Sequence, residues 1–358
     1  MIQARIRKSY PARPDSAGFS LDLEVHTASG ITALFGPGGA GKTMLLDAIA
    51  GLVRPDEGRI LVNDEILFDG GSRINLPPHS RRCGYVFRSC ALFPHMTLRQ
   101  NLLFAAACRR LPRLERHRRV SEMLERFRLS DVSGRRPSDV SKVEEQRCSV
   151  ARALVGQPRL LLVDAPARGL DAFLRAERHD VLRQVRAEFG IPILLVAHDL
   201  DECLELGEEM LVVQAGRLLE GGPPRQVLEQ PACVDVARLL GTFNLLPVTI
   251  EALDPAKKTS RLRLGQFELA GPYFPGRLRG DRVVLCVRPE ELMPFAAAGR
   301  PGPNQVVAQL VRVTQRPKTV RLHFAGEIVS ELPREEFEKQ KHTKEWVVEF
   351  PPQYLRVL

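Results

Sequence analysis

Gly36-Pro37-Gly38-Gly39-Ala40-Gly41-Lys42-Thr43 is the stretch in which residue type and spacing together specify a chemistry. It fits G-x-x-x-x-G-K-[ST]. Glycines in that pattern let backbone N–H groups wrap phosphate oxygens at a helix N-terminus, the lysine reaches β- and γ-phosphates, and the threonine hydroxyl meets a Mg²⁺ ion. A chance match somewhere in a chain this long is on the order of one per cent, before flanking elements are required. Asp164 ends the apolar run Leu160-Leu161-Leu162-Val163, and His198 ends another, Ile191 to Ala197. Such runs suit strands buried on both faces of a parallel sheet, and an acid at the C-terminal end lies where open α/β sheets place their ligands. Phe19 and Tyr10 each offer a flat ring for an adenine, a contact worth about 1–3 kcal/mol against a base, and each serves equally as a core aromatic.

These groups need elements to hold them. Ile31 to Phe35 is a short β-prone run, residues 36–41 are too glycine-rich for a regular element, and Met44, Leu45, Leu46, Ile49 and Leu52 recur at helical spacing. The order is strand, loop, helix. Upstream, Phe19 to Val25 alternates as an antiparallel strand; downstream, Arg54 to Gly58 turns into a strand at Arg59–Asn63, and a strand within Arg81–Phe87 runs into Arg88. Residues 96–157 read as mainly helical, with Val120, Met123, Leu124 and Phe127 at three- and four-residue spacing. A helix over Phe173–Phe189 and a strand over Met210–Val213, turning at Gly216, complete an α/β domain expected to span residues 1–240. From 241 to 358 the pattern becomes short alternating strands: Leu246–Ala252, Ser260–Leu269, Arg282–Val287, Val306–Val313, Val320–Phe324 and Trp346–Phe350. That predicts an all-β module, a small Greek-key barrel.

With 358 residues and 44% hydrophobic content the chain has room for two or three packed domains. No run approaches the roughly 18 apolar residues of a membrane span, and the N-terminal stretch lacks the apolar centre of a signal peptide, so a cytosolic protein is expected. Seven cysteines, without a C-x-x-C pair, indicate neither a disulfide framework nor a zinc site. The net charge of +9 suits nucleic acid, an anionic membrane surface or a phosphate ligand, and does not choose among them. Glu115, Glu122 and Glu125 interleave with the basic run Arg109 to Arg119, which reads first as a solvated helix face and second as a membrane or partner contact. No aromatic RNA-binding signature, zinc-finger spacing or heptad array is present, and no nucleic-acid partner is expected.

Phosphate loop, helical insert, strand ending in Asp164 and strand ending in His198 form an ordered set, and with it the sequence resembles the ATP-binding subunits of ABC importers. The likeness is to the molybdate type, through GITALFGPGGAGKT, Leu76 to Arg82 and GYVFRSCALFPHMTLRQNL, and covers about residues 1 to 240. It implies a P-loop (RecA-like) nucleotide-binding domain with a helical subdomain at about 89–157, and a C-terminal OB-like regulatory barrel, which Val287 to Glu291 resembles more loosely. It also implies ATP and Mg²⁺ as cofactors, a second ATP-binding subunit, identical or not, and integral-membrane permease subunits. The location implied is cytoplasmic, peripheral on the inner face of the cell membrane. Residue by residue, Gly36 to Thr43 is the Walker A loop, and Asp164, with Thr43, belongs to the Mg²⁺ shell. Asp171 is the D-loop acid, and His198 is the switch histidine that contacts the γ-phosphate.

Three positions depart from the family pattern. Arg88 stands where the family has glutamine. The signature motif, L-S-G-G-[EQ]-x-Q-R in the family, reads Val140-Ser141-Lys142-Val143-Glu144-Glu145-Gln146-Arg147, without either glycine. Ala165 replaces the catalytic glutamate after Asp164. Arg88 is expected to repel the metal, Lys142 and Val143 to obstruct the γ-phosphate unless Lys142 lends it charge, and Ala165 to leave the attacking water without a base unless Asp199 or Glu202 substitutes. The readings are an importer subunit for an oxyanion such as molybdate with impaired hydrolysis, a non-hydrolysing ATP-binding regulator, and a nucleic-acid-associated protein, which the β module disfavours.

Overall fold

The computed structural model describes residues 1–12, 18–27, 30–108, 112–164, 172–296, 302–342 and 345–358. They divide into two units, 1–230 and 231–358. The first begins with β1 (Ile2–Tyr10) and β2 (Phe19–Thr27), paired antiparallel from Ile2 opposite Thr27 to Tyr10 opposite Phe19. Next come β3 (Ile31–Phe35), α1 (Lys42–Ala50), β4 (Glu57–Val62), β5 (Glu65–Asp69), β6 (Ile74–Asn75) and β7 (Cys83–Val86). Three helices follow, α2 (Leu98–Ala107), α3 (Arg113–Arg126) and α4 (Lys142–Leu154). The unit closes with β8 (Leu160–Val163), α5 (Ala172–Phe189), β9 (Ile193–Val196), α6 (Leu200–Leu206), β10 (Glu209–Gln214), β11 (Arg217–Gly222) and α7 (Pro224–Glu229).

All its strands join one sheet of 11, in the order β6-β5-β4-β1-β2-β11-β10-β3-β9-β8-β7. The run β10-β3-β9-β8-β7 is parallel. Every residue of β8 and β9 is buried, because the sheet is covered on both faces here and successive side chains serve different layers. Leu160, Leu162 and Leu194 pack with Leu45, Leu46 and Ile49 of α1. Leu161, Val163 and Leu195 pack with Leu102, Leu154 and Leu182 of α2, α4 and α5. On α3, Arg118 pairs with Glu115 and Glu122, and Arg119 with Glu115, as a solvated face would; residues 109–111 of that basic run lie outside the described residues.

A buried cation anchors the far end of α1. Arg81, 1% exposed, donates from Nη1 to the carbonyls of Ala48 at 2.6 Å and Ile49 at 2.9 Å. Its Nε donates to Leu76 O at 2.7 Å and its Nη2 to Asn75 Oδ1 at 2.8 Å. Burial lowers the guanidinium pKa, and the last-turn carbonyls and negative dipole end of α1 offset that cost.

The second unit opens with α8 (Val234–Leu240), which packs on β12 (Asn244–Asp254), so the division falls ahead of the expected 240/241. Then come β13 (Thr259–Leu264), β14 (Phe267–Pro272), β15 (Arg282–Val287), β16 (Met293–Ala296), β17 (Gln305–Ala308), β18 (Leu310–Gln315), β19 (Thr319–Phe324) and β20 (Val329–Pro333). The unit ends with α9 (Arg334–Gln340), β21 (Trp346–Glu349) and β22 (Arg356–Val357). Three antiparallel sheets, β14-β13-β12-β15-β22, β16-β21-β17 and β18-β19-β20, share one core around Leu262, Leu285, Trp346 and Phe350. Two strands expected from the sequence are each two strands. Ser260–Leu269 is a hairpin reversing at Gly265 and Gln266, and Val306–Val313 divides at Gln309 between two sheets.

Replacing Arg81 by methionine takes the charged donor from the Ala48 and Ile49 carbonyls, leaving them the Gly51 amide and the Cys83 thiol, and should lower unfolding stability by about 3 kcal/mol. Urea denaturation followed by circular dichroism reads this directly; an unshifted midpoint would remove Arg81 from the account.

Candidate functional site

The loop between β3 and α1 is tight at its ends and open in its middle. Gly36 has φ 148, and a Cβ there would overlap the carbonyl oxygen of Val213 on β10. Gly41 has φ 100, and a Cβ there would lie 2.5 Å from Leu21 Cδ1 and 3.1 Å from the Phe19 ring. Only glycine passes these two points. Pro37, Gly38 and Gly39 are exposed, and a Cβ on Gly38 or Gly39 would meet nothing within 4 Å. Ala40 is buried and pinned, donating to Pro37 O at 3.3 Å and accepting from Gly216 N at 3.0 Å.

Gly41 is also the N-cap of α1 and brings no side chain to it. Among the described residues, the amides of Lys42 and Thr43 have no protein acceptor. A helix start left in that state is a ready anion site, with donors and dipole both directed at the open span. Lys42 Nζ lies over the loop, donating to Gly36 O at 2.7 Å and Pro37 O at 2.8 Å. Burial lowers its pKa, against the pull of Asp164 and with the push of Arg88.

Asp164 follows β8, is 7% exposed, and donates its N–H to Val86 O at 2.9 Å. Its Oδ1 accepts from Thr43 Oγ1 at 3.1 Å, and Arg88 Nη2 stands 3.9 Å from the same oxygen. A hydroxyl and a carboxylate are donors that Mg²⁺ takes, yet a guanidinium already faces that carboxylate oxygen, so the residues present do not fit the metal that the sequence led us to expect. Asp47 of α1 lies close by; it accepts from Tyr85 Oη at 2.9 Å, and burial raises its pKa.

His198 follows β9, half-buried, with its N–H donated to Glu202 Oε2 at 3.1 Å. Glu202 is fully buried and bound by Arg178 of α5. Asp199 caps α6 by accepting from Glu202 N at 2.8 Å, and pairs with Arg175 at 3.3 Å. Both acids considered as substitute bases are therefore committed to structure. Beside them His179 Nδ1 meets Glu205 Oε2 at 2.6 Å. Sequence reasoning missed Arg178 and His179, although both sit on the apolar stripe of α5 with Val181, Leu182 and Val185.

Ser141 is the N-cap of α4 in a capping box with Glu144: its N–H donates to Glu144 Oε2 at 2.7 Å and its Oγ accepts from Glu144 N at 3.3 Å. Lys142 is exposed and bound to Glu145 at 2.7 Å, which raises its pKa; Val143, Glu144 and Gln146 are half-buried. At the other end of α4, Arg152 donates to Ala91 O at 2.7 Å and Cys90 O at 3.1 Å, and Ser149 Oγ to Cys90 O at 3.0 Å. These carbonyls belong to a left-handed pair, Cys90 at φ 58 and Ala91 at φ 49, in the turn after Arg88. Phe87, Phe93, Phe104 and Arg152 line a hollow of about 370 Å³ beside it.

The fold thus gathers Gly36 to Thr43, Arg88 and Asp164 into one cluster. Ser141, Lys142, Val143, Glu144 and Gln146 make no bond to that cluster among the described residues. Ala165 and Asp171 lie outside the described residues. Phe19 is half-buried with its ring edge under Gly41, while Tyr10, opposite it across the strand pair, is exposed with Lys8 Nζ 5.4 Å over its ring.

Residues 20–168 match the family profile described as ABC transporter. The chain is 42% identical over 217 residues to the molybdenum import ATP-binding protein ModC of Rhodospirillum rubrum, covering 61% of this chain and spanning only 58% of that relative. It is 34% identical over 274 residues to the spermidine/putrescine import ATP-binding protein PotA of Vibrio cholerae, covering 76% of this chain and 70% of the relative. A dimeric structure of an ATP-binding cassette in a post-hydrolysis state, bound to ADP and Pi, matches in fold with a TM-score of 0.53 at 23% identity, covering 63% of this chain and 99% of that one.

The two kinds of loop glycine should respond oppositely to alanine. Gly41→Ala should cost about 1–3 kcal/mol of stability, while Gly38→Ala should stay within about 0.5 kcal/mol. Thermal melts of the two variants compare them, and equal losses would contradict the loop geometry.

Proposed function

The chain belongs to the ABC transporter family, and from that premise we propose that it is the ATP-binding subunit of an importer, holding ATP at residues 36–43 and hydrolysing it slowly. The observation that carries the binding is the uncapped start of α1: the amides of Lys42 and Thr43 have no protein acceptor among the described residues, and the Lys42 ammonium lies on Gly36 O and Pro37 O beside the open span at Gly38 and Gly39. The triphosphate replaces the two loop carbonyls as acceptor for Lys42. The closeness of the half-buried Phe19 ring to Gly41 supports the reading of that ring as a contact for the base.

Slow turnover follows from what surrounds the phosphate end. Ala165 has no carboxylate, and neither Asp199 nor Glu202 is available to replace one. A positioned base contributes roughly 10²–10⁴-fold, so its loss lowers turnover by that order. Asp164 and His198 remain to support a residual rate. Among the described residues the motif at Ser141 to Gln146 makes no bond to the cluster of Gly36 to Thr43, Arg88 and Asp164, which supports a second ATP-binding subunit as the surface it meets. There Lys142, engaged with Glu145, and Val143 present side chains where the family has glycines.

The aromatic hollow beside Arg88 supports a permease subunit as partner, since Phe87 and Phe104 are exposed on its rim. Among the described residues no helix is long and apolar enough to cross a membrane; a permease partner implies a place at the inner face of the cell membrane. The likeness to a molybdenum importer favours an oxyanion such as molybdate as cargo, and the likeness to a polyamine importer is the competing suggestion. The commitment of Asp199 and Glu202 favours a second reading, an ATP-binding regulator that works by dimer closure without hydrolysis; recovery with no permease partner would select it.

Lys42→Ala should weaken ATP binding by about tenfold or more, as loss of a charge-assisted contact implies. Calorimetry with ATP tests this, and equal affinities would defeat the assignment. Steady-state turnover should fall well below about 1 s⁻¹ and rise when Ala165→Glu is combined with Lys142→Gly and Val143→Gly. A wild-type rate in the ordinary enzyme range would show that these positions do not limit it.

A further inference from the structure

We infer that the Arg88 guanidinium takes the place of the divalent cation in this site, so that the chain binds the triphosphate of ATP without Mg²⁺. The inference rests on the nucleotide reading above. A Mg²⁺ ion held by Thr43 and Asp164 would need oxygen ligands at about 2.0–2.1 Å in near-octahedral arrangement. Thr43 Oγ1 and Asp164 Oδ1 lie 3.1 Å apart, a spacing such an ion accepts, and what opposes the metal is Arg88, whose Nη2 stands 3.9 Å from that same Asp164 oxygen. Asp164 is the one carboxylate within ion-pair distance of Arg88 among the described residues.

Charge counting points the same way. Lys42 and Arg88 balance Asp47 and Asp164, whereas a neutral side chain at 88 would leave those four positions with one net negative charge. A polyphosphate entering that second arrangement needs a metal to reverse the sign. Entering this one, it meets a balanced pocket whose two cations can turn from carboxylate and carbonyl oxygens to phosphate oxygens. Adding Mg²⁺ would set a doubly charged ion against a guanidinium sharing its carboxylate. Guanidinium is suited to the substitution, because its planar fork of donors matches phosphate oxygens two at a time.

Arg88 is also presented rather than loose. Its side chain is 52% exposed, leaving the head free to turn toward a ligand. Its backbone lies between the Tyr85–Phe87 ring stack, with centroids 4.2 Å apart, and the Cys90–Ala91 turn that Arg152 and Ser149 hold by its carbonyls.

The test is calorimetric titration of ATP into the full chain, once in excess EDTA and once in Mg²⁺, for the wild type and Arg88→Gln. The wild-type dissociation constant should differ by less than about threefold between the two solutions, while Arg88→Gln should bind at least about tenfold more weakly in EDTA than in Mg²⁺. A wild-type ratio of about threefold or more, or an Arg88→Gln ratio no larger than the wild type's, overturns the inference and leaves nucleotide binding standing. Absence of ATP binding in both solutions defeats the nucleotide reading, and this inference with it.

Discussion

The first-turn amides of α1 must be kept without a protein acceptor, and much of the first unit can be understood as the means of doing so. Glycine at position 41 makes the turn and withholds a capping side chain. The dipole that makes this end attractive to an anion leaves carbonyls stranded at the other, where Arg81 satisfies them from inside the core. Between the two ends, Leu45, Leu46 and Ile49 fasten the helix to the parallel strands. An uncapped helix start weakens a fold locally; here packing along the helix and a buried cation behind it carry that cost.

What was legible in the sequence was what is local in the chain. The tight loop after β3 reads directly because glycine spacing is itself the conformational requirement, and the strand-end positions of Asp164 and His198 read because a run of apolar residues announces a doubly covered strand before each. Arg81, Arg178 and Arg152 did not read. Each is an arginine whose partners lie far off in the chain or on another element, and an arginine in isolation looks like surface. The split of Val306–Val313 escaped for a related reason: alternation persists through Gln309, and only the pairing partners reveal that the strand changes sheets there.

Arg88 was legible only in part. As a substitution it predicted repulsion of a metal, but nothing in the spacing said that its side chain would face Asp164. The outcome depends on β7 and β8 being parallel neighbours, which brings the residues just past both strand ends together. That adjacency also explains why a change at one strand end matters to a loop that begins at another, β3, two places along the sheet from β8. By contrast, Lys142 and Val143 sit in the first turn of a helix whose cap, Ser141 with Glu144, is intact, so the two residues leave the start of that helix undisturbed.

That same helix has a mechanical consequence. From Ser141 to Arg152 it is a rod of about 16 Å, at 1.5 Å per residue, too short to bend appreciably. Its near end carries the Ser141 cap, and its far end grips the carbonyls of Cys90 and Ala91 by charge-assisted bonds. The helix and the turn behind Arg88 are thus joined end to end, so that a shift of the helix along its axis would carry the carbonyls of Cys90 and Ala91 with it.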